Sequence, residues 1–362
     1  MTHDASASGA LAGIPDDPPP PGEAVEIAPE VFWLRMPLPF ALNHVNLWLI
    51  GEADGYTLVD CGYGDATTRA HWQRHFETTF AHRPIRRIVA THCHPDHLGN
   101  AAWLAAHFGC TIAMTLGEFV AAHALIGEHA GFGPADVRAL FARHGMAATH
   151  LAALSGRGNH YRVGVPEAPH AFVRLIDGDR LAAGPWVWQV IAGYGHSPEH
   201  AALASREARL LVAGDMLLPR ISTNVAVWPY EPDGDPVARF LASLSAFEAL
   251  PADTLVLPSH GSPFRGIAAR VTSLRRHHAE RLDELHAALL DANVPQSAED
   301  VIPVLFRREL DLQQRFFAMG EAIAHLNHLW QTGRAERSVA SDGAIRFRAQ
   351  SPGRAGQRPA AA

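Results

Sequence analysis

THCHPDHLGN, residues 91–100, is the stretch on which the reading of this chain turns. It closes RRIVATH (86–92), a run with the composition of a β-strand. It opens DHLGNAAWLAAHFG (96–109), where Leu98, Trp103, Leu104 and Phe108 keep helical spacing up to a stop at Gly109. His92 and His94 stand two apart at the strand end, so an extended backbone projects them to one side. Asp96 and His97 follow at the helix entry, which turns them back toward the same point. Neutral imidazoles with a carboxylate are the donor set that zinc-like divalent ions prefer. Cys93, between two of the histidines, should point away from them.

Three further ligands are expected from distant strand ends. GYGHSPEH (193–200) places His196 just past the strand WVWQVI (186–191). LLVAGD (210–215) ends an apolar strand at Asp215, where an unpaired carboxylate would be costly. LVLPSHG (255–261) puts His260 after another such strand. No recognisable Ser-His-Asp order accompanies Ser197 or Ser259, so a protein nucleophile is not expected.

Around these motifs, VFWLRM (31–36), HVNLWLI (44–50), YTLVD (56–60), FVRLI (172–176) and AALAS (201–205) read as strands. Residues 115–165 read as a helical insertion carrying the polar loop SGRGNHYR (155–162), a lid whose Arg157, Tyr161 and Arg162 face the substrate. Strands on both sides of helical segments predict an α/β domain of two packed sheets with helices outside. Residues 1–27, which include PPPPG (18–22), read as a disordered leader, and the last residues from 350 as a loose tail. The catalytic unit should therefore span 28–266. Beyond it, VTSLRRHHAERLDELHAALL (271–290) is a long amphipathic helix, with His277 and His278 read as solvated positions. Shorter helices and a hairpin across SDG (341–343) complete a unit over 267–349.

Composition narrows the function classes. The 362 residues are 48% hydrophobic and 19% charged, as in a globular protein with a sizeable core. A net charge of −7 gives no global basic field for nucleic acid or anionic lipid. Lysine is absent, and Cys61, Cys93 and Cys110 form no disulfide framework, which points to a reducing, cytoplasmic setting. No apolar run reaches the roughly 20 residues that cross a bilayer.

LVDCG (58–62), the quartet, His196, Asp215 and His260, in that order, resemble the metallo-β-lactamase fold superfamily in its hydrolase branch, over residues 28–266. The resemblance implies an αββα sandwich. It also implies one metal on His92, His94 and His196, a second on Asp96, His97 and His260, and Asp215 bridging the two. Asp60 and His200 would lie behind the ligands and fix their geometry. The C-terminal unit resembles a winged-helix appendage found in one subgroup, which includes a mitochondrial endoribonuclease and many bacterial hydrolases.

Two divalent ions about 3.5–4 Å apart share a water and lower its pKa toward 7, yielding a bridging hydroxide that attacks an electrophilic carbonyl or phosphorus. Zn²⁺ is the first expectation, and Mn²⁺ or Fe²⁺ suit the same donors. Asp96, or a metal-bound water, is expected as the proton shuttle to the leaving group, and Tyr194 as a pocket-lining residue. The expected substrate is a small acyl thioester or ester, of acyl-CoA or acyl-glutathione type. Hydroxyacylglutathione hydrolases share the seven ligands, but their lysine-based glutathione pattern has no counterpart here. A lactonase and a phosphodiesterase or endoribonuclease are the alternatives, and a mononuclear iron persulfide dioxygenase is the alternative from another class. Nucleic-acid binding calls for a basic excess. Residues 267–349 carry 11 arginines against 11 acidic residues, so a small molecule is the expected partner. The amphipathic C-terminal helices are consistent with a homodimer.

Overall fold

Alternation along the first two long strands decides the layering. In the computed structural model of the chain, which describes residues 17–20 and 22–350, β2 (Val31–Pro37) pairs antiparallel with β3 (His44–Glu52), Trp33 opposite Trp48. Val31, Trp33, Trp48 and Ile50 enter one core, while Leu34, Met36, Leu47 and Leu49 enter another. A sheet buried on both faces must lie inside the molecule, because successive side chains point to opposite sides. With β1 (Val25–Ala28), β4 (Gly55–Val59), β5 (Ile85–Val89), β6 (Thr111–Thr115) and β7 (Val173–Leu175) it forms a seven-stranded sheet in sequential order.

The second sheet has five strands: β8 (Arg180–Ala183), β9 (Trp186–Gly193), β10 (His200–Ser205), β11 (Leu210–Gly214) and β12 (Leu255–Pro258). Trp188, Val190, Leu203, Val212 and Leu257 face the first sheet, and Ile191, Ala202, Leu211 and Val256 face outward into a third core. Helices cover both outer faces. On the first sheet lie α1 (Ala66–Glu77), the short α2 (Pro95–Leu98), α3 (Ala101–Phe108) and α4 (Leu116–Gly127). The result is the αββα sandwich.

The outer core of the second sheet joins it to the rest of the chain. It takes in α5 (Pro134–Arg143), α6 (Ala148–Ser155), α8 (Pro236–Glu248), α9 (Ile267–Asp291), α10 (Ala298–Leu305) and α11 (Leu312–Gln331). A hairpin of β13 (Ala335–Val339) and β14 (Ile345–Ala349) completes the C-terminal unit. On α9 the buried positions Val271, Leu274, His278, Leu282, Leu285 and Leu289 recur every three or four residues. His278 is therefore a core residue, not a solvated one. Its Nδ1 lies 3.2 Å from Nε2 of the buried His325, and its ring packs on Phe240.

Two other expectations change. Val25–Ala28 pairs with β2, so a strand lies within the stretch read as a leader; residues 1–16, 21 and 351–362 lie outside the described residues. The insertion is also not one unit. Its α4 and the short α7 (Tyr161–Gly164) pack on the first sheet's side, whereas Leu140, Phe141 and Leu154 of α5 and α6 share a core with α10 and α11.

Trp48 is 1% exposed between the sheets, its ring 6.0 Å from that of Trp33. Trp48→Ala is expected to lower unfolding stability by about 3–5 kcal/mol. Urea denaturation of the two proteins measures this, and a loss below about 1 kcal/mol would contradict the layering.

Candidate metal centre

The expected ligands lie at one edge of the sandwich, just past strand ends or, for Asp96 and His97, on the short α2 that follows β5. The 90–94 segment leaves β5, the 194–199 turn joins β9 to β10, Asp215 follows β11, and Ser259 and His260 follow β12. β11 and β12 run parallel, Gly214 opposite Pro258, which brings Asp215 and His260 to the same level. Asp60 follows β4 with φ +64°, a left-handed conformation that Asp tolerates better than most residues. From there Asp60 accepts hydrogen bonds from the Thr91 backbone N–H (2.8 Å) and the Thr91 hydroxyl (2.9 Å).

The histidines are held from behind, and the holding groups decide their tautomers. Nδ1 of His97 lies 2.8 Å from Asp60 Oδ2, Nδ1 of His196 lies 2.8 Å from the Asn224 carbonyl, and Nδ1 of His260 lies 2.8 Å from the His44 carbonyl. A carbonyl or carboxylate oxygen can only accept, so each Nδ1 carries the proton and each Nε2 presents a lone pair. At His92 the Thr91 hydroxyl, already donating to Asp60, accepts from Nδ1 at 3.0 Å. Its Nε2 is then also a lone pair.

These lone pairs converge. His92 Nε2 lies 2.9 Å from His94 Nδ1 and 3.2 Å from His196 Nε2. His97 Nε2 is 3.5 Å from Asp96 and 3.6 Å from Asp215, and His260 Nε2 is 3.5 Å from Asp96 and 3.4 Å from Asp215. His97 Nε2 and Asp215 Oδ1 are buried without any hydrogen-bond partner. Buried acceptors facing one another repel unless a cation lies between them. The donor atoms of His92, His94 and His196 lie within 4.8 Å of one another, and so do those of Asp96, His97 and His260. His92, His97 and Asp215 form a third such group linking the two. The residues thus fit divalent cations. Electrostatics agree: burial lowers the pKa of His97, but Asp96, Asp60 and Asp215 together outweigh it and, with no cation present, raise the group to about 10, so that a proton would take the Nε2 lone pair otherwise open to a metal. A centre that pulls a proton onto imidazole this strongly also attracts a metal cation.

A profile of the Metallo-beta-lactamase superfamily matches residues 41–260, and one of the Metallo-beta-lactamase-like C-terminal domain matches 282–350. The chain belongs to the metallo-beta-lactamase superfamily. A solved beta-lactamase domain protein from Burkholderia ambifaria is similar at 44% identity, covering 92% of this chain and 96% of that one with a TM-score of 0.85. A metallo-beta-lactamase family protein from Thermus thermophilus superposes with a TM-score of 0.74 at 28% identity, over 90% of this chain and all of its own. A probable metallo-hydrolase of Bacillus subtilis is 24% identical over 86% of this chain and 94% of its own length.

Within this metallo-beta-lactamase fold the remaining expected residues take distinct places. His200 is buried behind the ligands, where its Nε2 accepts the Asp215 N–H at 3.2 Å, and burial pushes its pKa down to about 3. Gly214 leaves room for that ring, since a Cβ there would fall 2.2 Å from His200 Nε2. Tyr194 is 41% exposed and lines a cavity of about 160 Å³ with His196, Ser197, Trp228 and Tyr230. Tyr161 is held by the loop of the first two ligands. Its hydroxyl donates to the Cys93 carbonyl at 2.6 Å, which fixes the loop between His92 and His94. Arg157 hydrogen-bonds Gln313 of α11, and Arg162 is exposed. Cys93 is buried in the core under the first sheet, away from the ligand atoms.

Sequence reasoning missed the backbone carbonyls of His44 and Asn224, which carry no signal in residue identity. It also missed Glu118, whose signal is a lone carboxylate in the otherwise apolar TIAMTLGEFVAA (111–122). Asp60→Asn, which keeps the left-handed backbone but removes the charge behind His97, should weaken zinc affinity about 10–100-fold. Competition with a chromogenic chelator measures it, and an unchanged affinity would show that Asp60 does not orient His97.

Proposed function

We propose that this superfamily member is a binuclear metal-dependent hydrolase acting on a small acyl thioester or ester. The observation that carries the reading is the pair of donor triads on either side of one carboxylate. Asp215 Oδ2 lies 3.4 Å from His196 Nε2 in the first triad, while Oδ1 faces His97 and His260 in the second. Divalent ions held there would supply a water of lowered pKa and a Lewis acid for the substrate carbonyl. Asp96, which faces His97 and His260 and is 18% exposed at its side chain, would pass a proton to the leaving atom. The ligand set favours Zn²⁺.

The cavity beside His196 has the size for a short acyl chain, and its aromatic lining by Trp228 and Tyr230 suits an apolar one. Through Tyr230, Glu231 and Arg239 it adjoins a wider depression of about 600 Å³, where a carrier would lie. A Marinomonas protein matched at 25% identity over 62% of this chain and 63% of its own is a hydroxyacylglutathione hydrolase, which supports a thioester. The probable metallo-hydrolase of Bacillus subtilis supports hydrolysis more broadly.

Nucleic acid fits less well. The C-terminal helices and hairpin have winged-helix order, yet Arg275, Arg281, Arg315, Arg334, Arg337 and Arg346 are each paired with a carboxylate. Paired guanidinium groups leave little positive field for phosphates. Among the described residues no helix is long and apolar enough to cross a membrane.

The test is thiol release from a panel of acyl-CoA and acyl-glutathione thioesters by zinc-loaded protein, with Asp215→Ala as control. Turnover of at least one thioester far above the control is expected. Activity confined to lactones or phosphodiesters would overturn the substrate class. Asp96→Asn should keep most of its zinc and lose activity by about 10²–10⁴-fold, the range for general acid–base groups; an unchanged rate would remove the shuttle.

A further inference from the structure

Glu118, in the first turn of α4, is fully buried, and no basic side chain forms an ion pair with it among the described residues. A buried carboxylate without a counter-charge is costly unless its oxygens are satisfied by donors. Both are. Oε2 accepts from the Cys93 backbone N–H at 2.8 Å, and Oε1 accepts from the Ser197 hydroxyl at 2.6 Å and the Glu199 N–H at 2.7 Å.

The partners lie on two segments far apart in the chain. Cys93 stands between His92 and His94, and Ser197 follows His196. The same helix start grips the second segment twice more: the Thr115 hydroxyl donates to the Glu199 carbonyl at 2.7 Å, and the Gly117 N–H donates to the Glu199 carboxylate at 2.9 Å. The second triad draws nothing from Glu118, since His97 rests on Asp60 and His260 on His44.

We infer that Glu118 is a positioning residue that sets the gap between the 92–94 segment and the 196–199 turn, and so controls occupancy of the His92/His94/His196 metal site selectively. Charge adds to geometry. That triad consists of neutral imidazoles alone, whereas the other contains the Asp96 carboxylate. Glu118 supplies negative charge immediately behind the uncharged triad, where metal affinity is sensitive to such neighbours.

The inference rests on the two-metal reading, and the experiment separates the two. Full-length protein is equilibrated with Zn²⁺ and a graded series of chelators, metal is counted by elemental analysis, and Co²⁺ spectra are recorded in parallel. Wild type is expected to hold two equivalents, and His94→Ala identifies which one belongs to the first triad. Glu118→Gln turns an amide N–H₂ toward a donor on one segment. It should weaken that equivalent about 10–100-fold while the other keeps wild-type affinity. Ser197→Ala, which removes one of the three bonds and leaves the carboxylate in place, should shift the same equivalent by less and guards against a fold defect in the Gln variant. Two equivalents in Glu118→Gln at wild-type affinity, or equal weakening of both, would overturn the role of Glu118. Fewer than two equivalents in wild type would instead remove the reading on which it rests.

Discussion

The constraint on which this structure depends is the meeting of buried lone pairs at the edge of the sandwich. His92, His97, His196 and His260 are each pinned through Nδ1 and present Nε2 inward, toward the carboxylates of Asp96 and Asp215, of which Asp215 Oδ1 is buried without a hydrogen-bond partner. Such an arrangement is unfavourable as an isolated protein core, because it gathers acceptors and negative charge without matching donors. It is favourable around divalent cations. Part of the fold's stability at this edge is therefore expected to come from metal binding, by the same linkage that couples any ligand to the folded state.

The two sheets make that edge rigid. β4 and β5 run parallel, as do β11 and β12, so the chain leaves each pair in the same direction. Loops at the ends of such doubly buried strands inherit the precision of the cores beneath them. Trp33, Trp48 and Trp188 fill the space between the sheets, and Asp60 ties the first sheet to the 91–97 segment through Thr91 and His97.

The C-terminal unit is an integral wall of the molecule. Phe141 of α5, Phe240 of α8, Leu285 of α9 and Leu326 of α11 belong to one apolar core. Val227 donates its N–H to the Gly320 carbonyl, and the Asn224 side chain donates to Glu321, so α11 backs the loop whose carbonyl holds His196. A change in the C-terminal unit can reach the metal centre through that one loop.

Much of this was legible in the amino-acid sequence. The apolar runs 31–36 and 44–50 were readable as strands, and the spacing within 91–100 implied that His92, His94, Asp96 and His97 converge, because strand and helix geometry leave those side chains few other directions. Local pattern missed α1, β6 and β8, since none carries a long periodic run: α1 presents only Trp72 and Phe76 as large apolar residues, and β6 is a five-residue strand between helices. It missed α8 as well, although Val237, Phe240, Leu244 and Phe247 keep helical spacing. It also misread His278 as solvated, because a histidine's burial depends on its partner, here His325, 47 residues away. Tertiary structure alone decided which atoms support the ligands. The His44 and Asn224 carbonyls are chemically identical to every other peptide carbonyl, and Tyr161 and Glu118 act through segments distant in the chain. Ligand identity lies in side-chain chemistry and short spacing, which a sequence states directly; ligand support lies in the closeness of remote segments, which exists only once the sheets have packed.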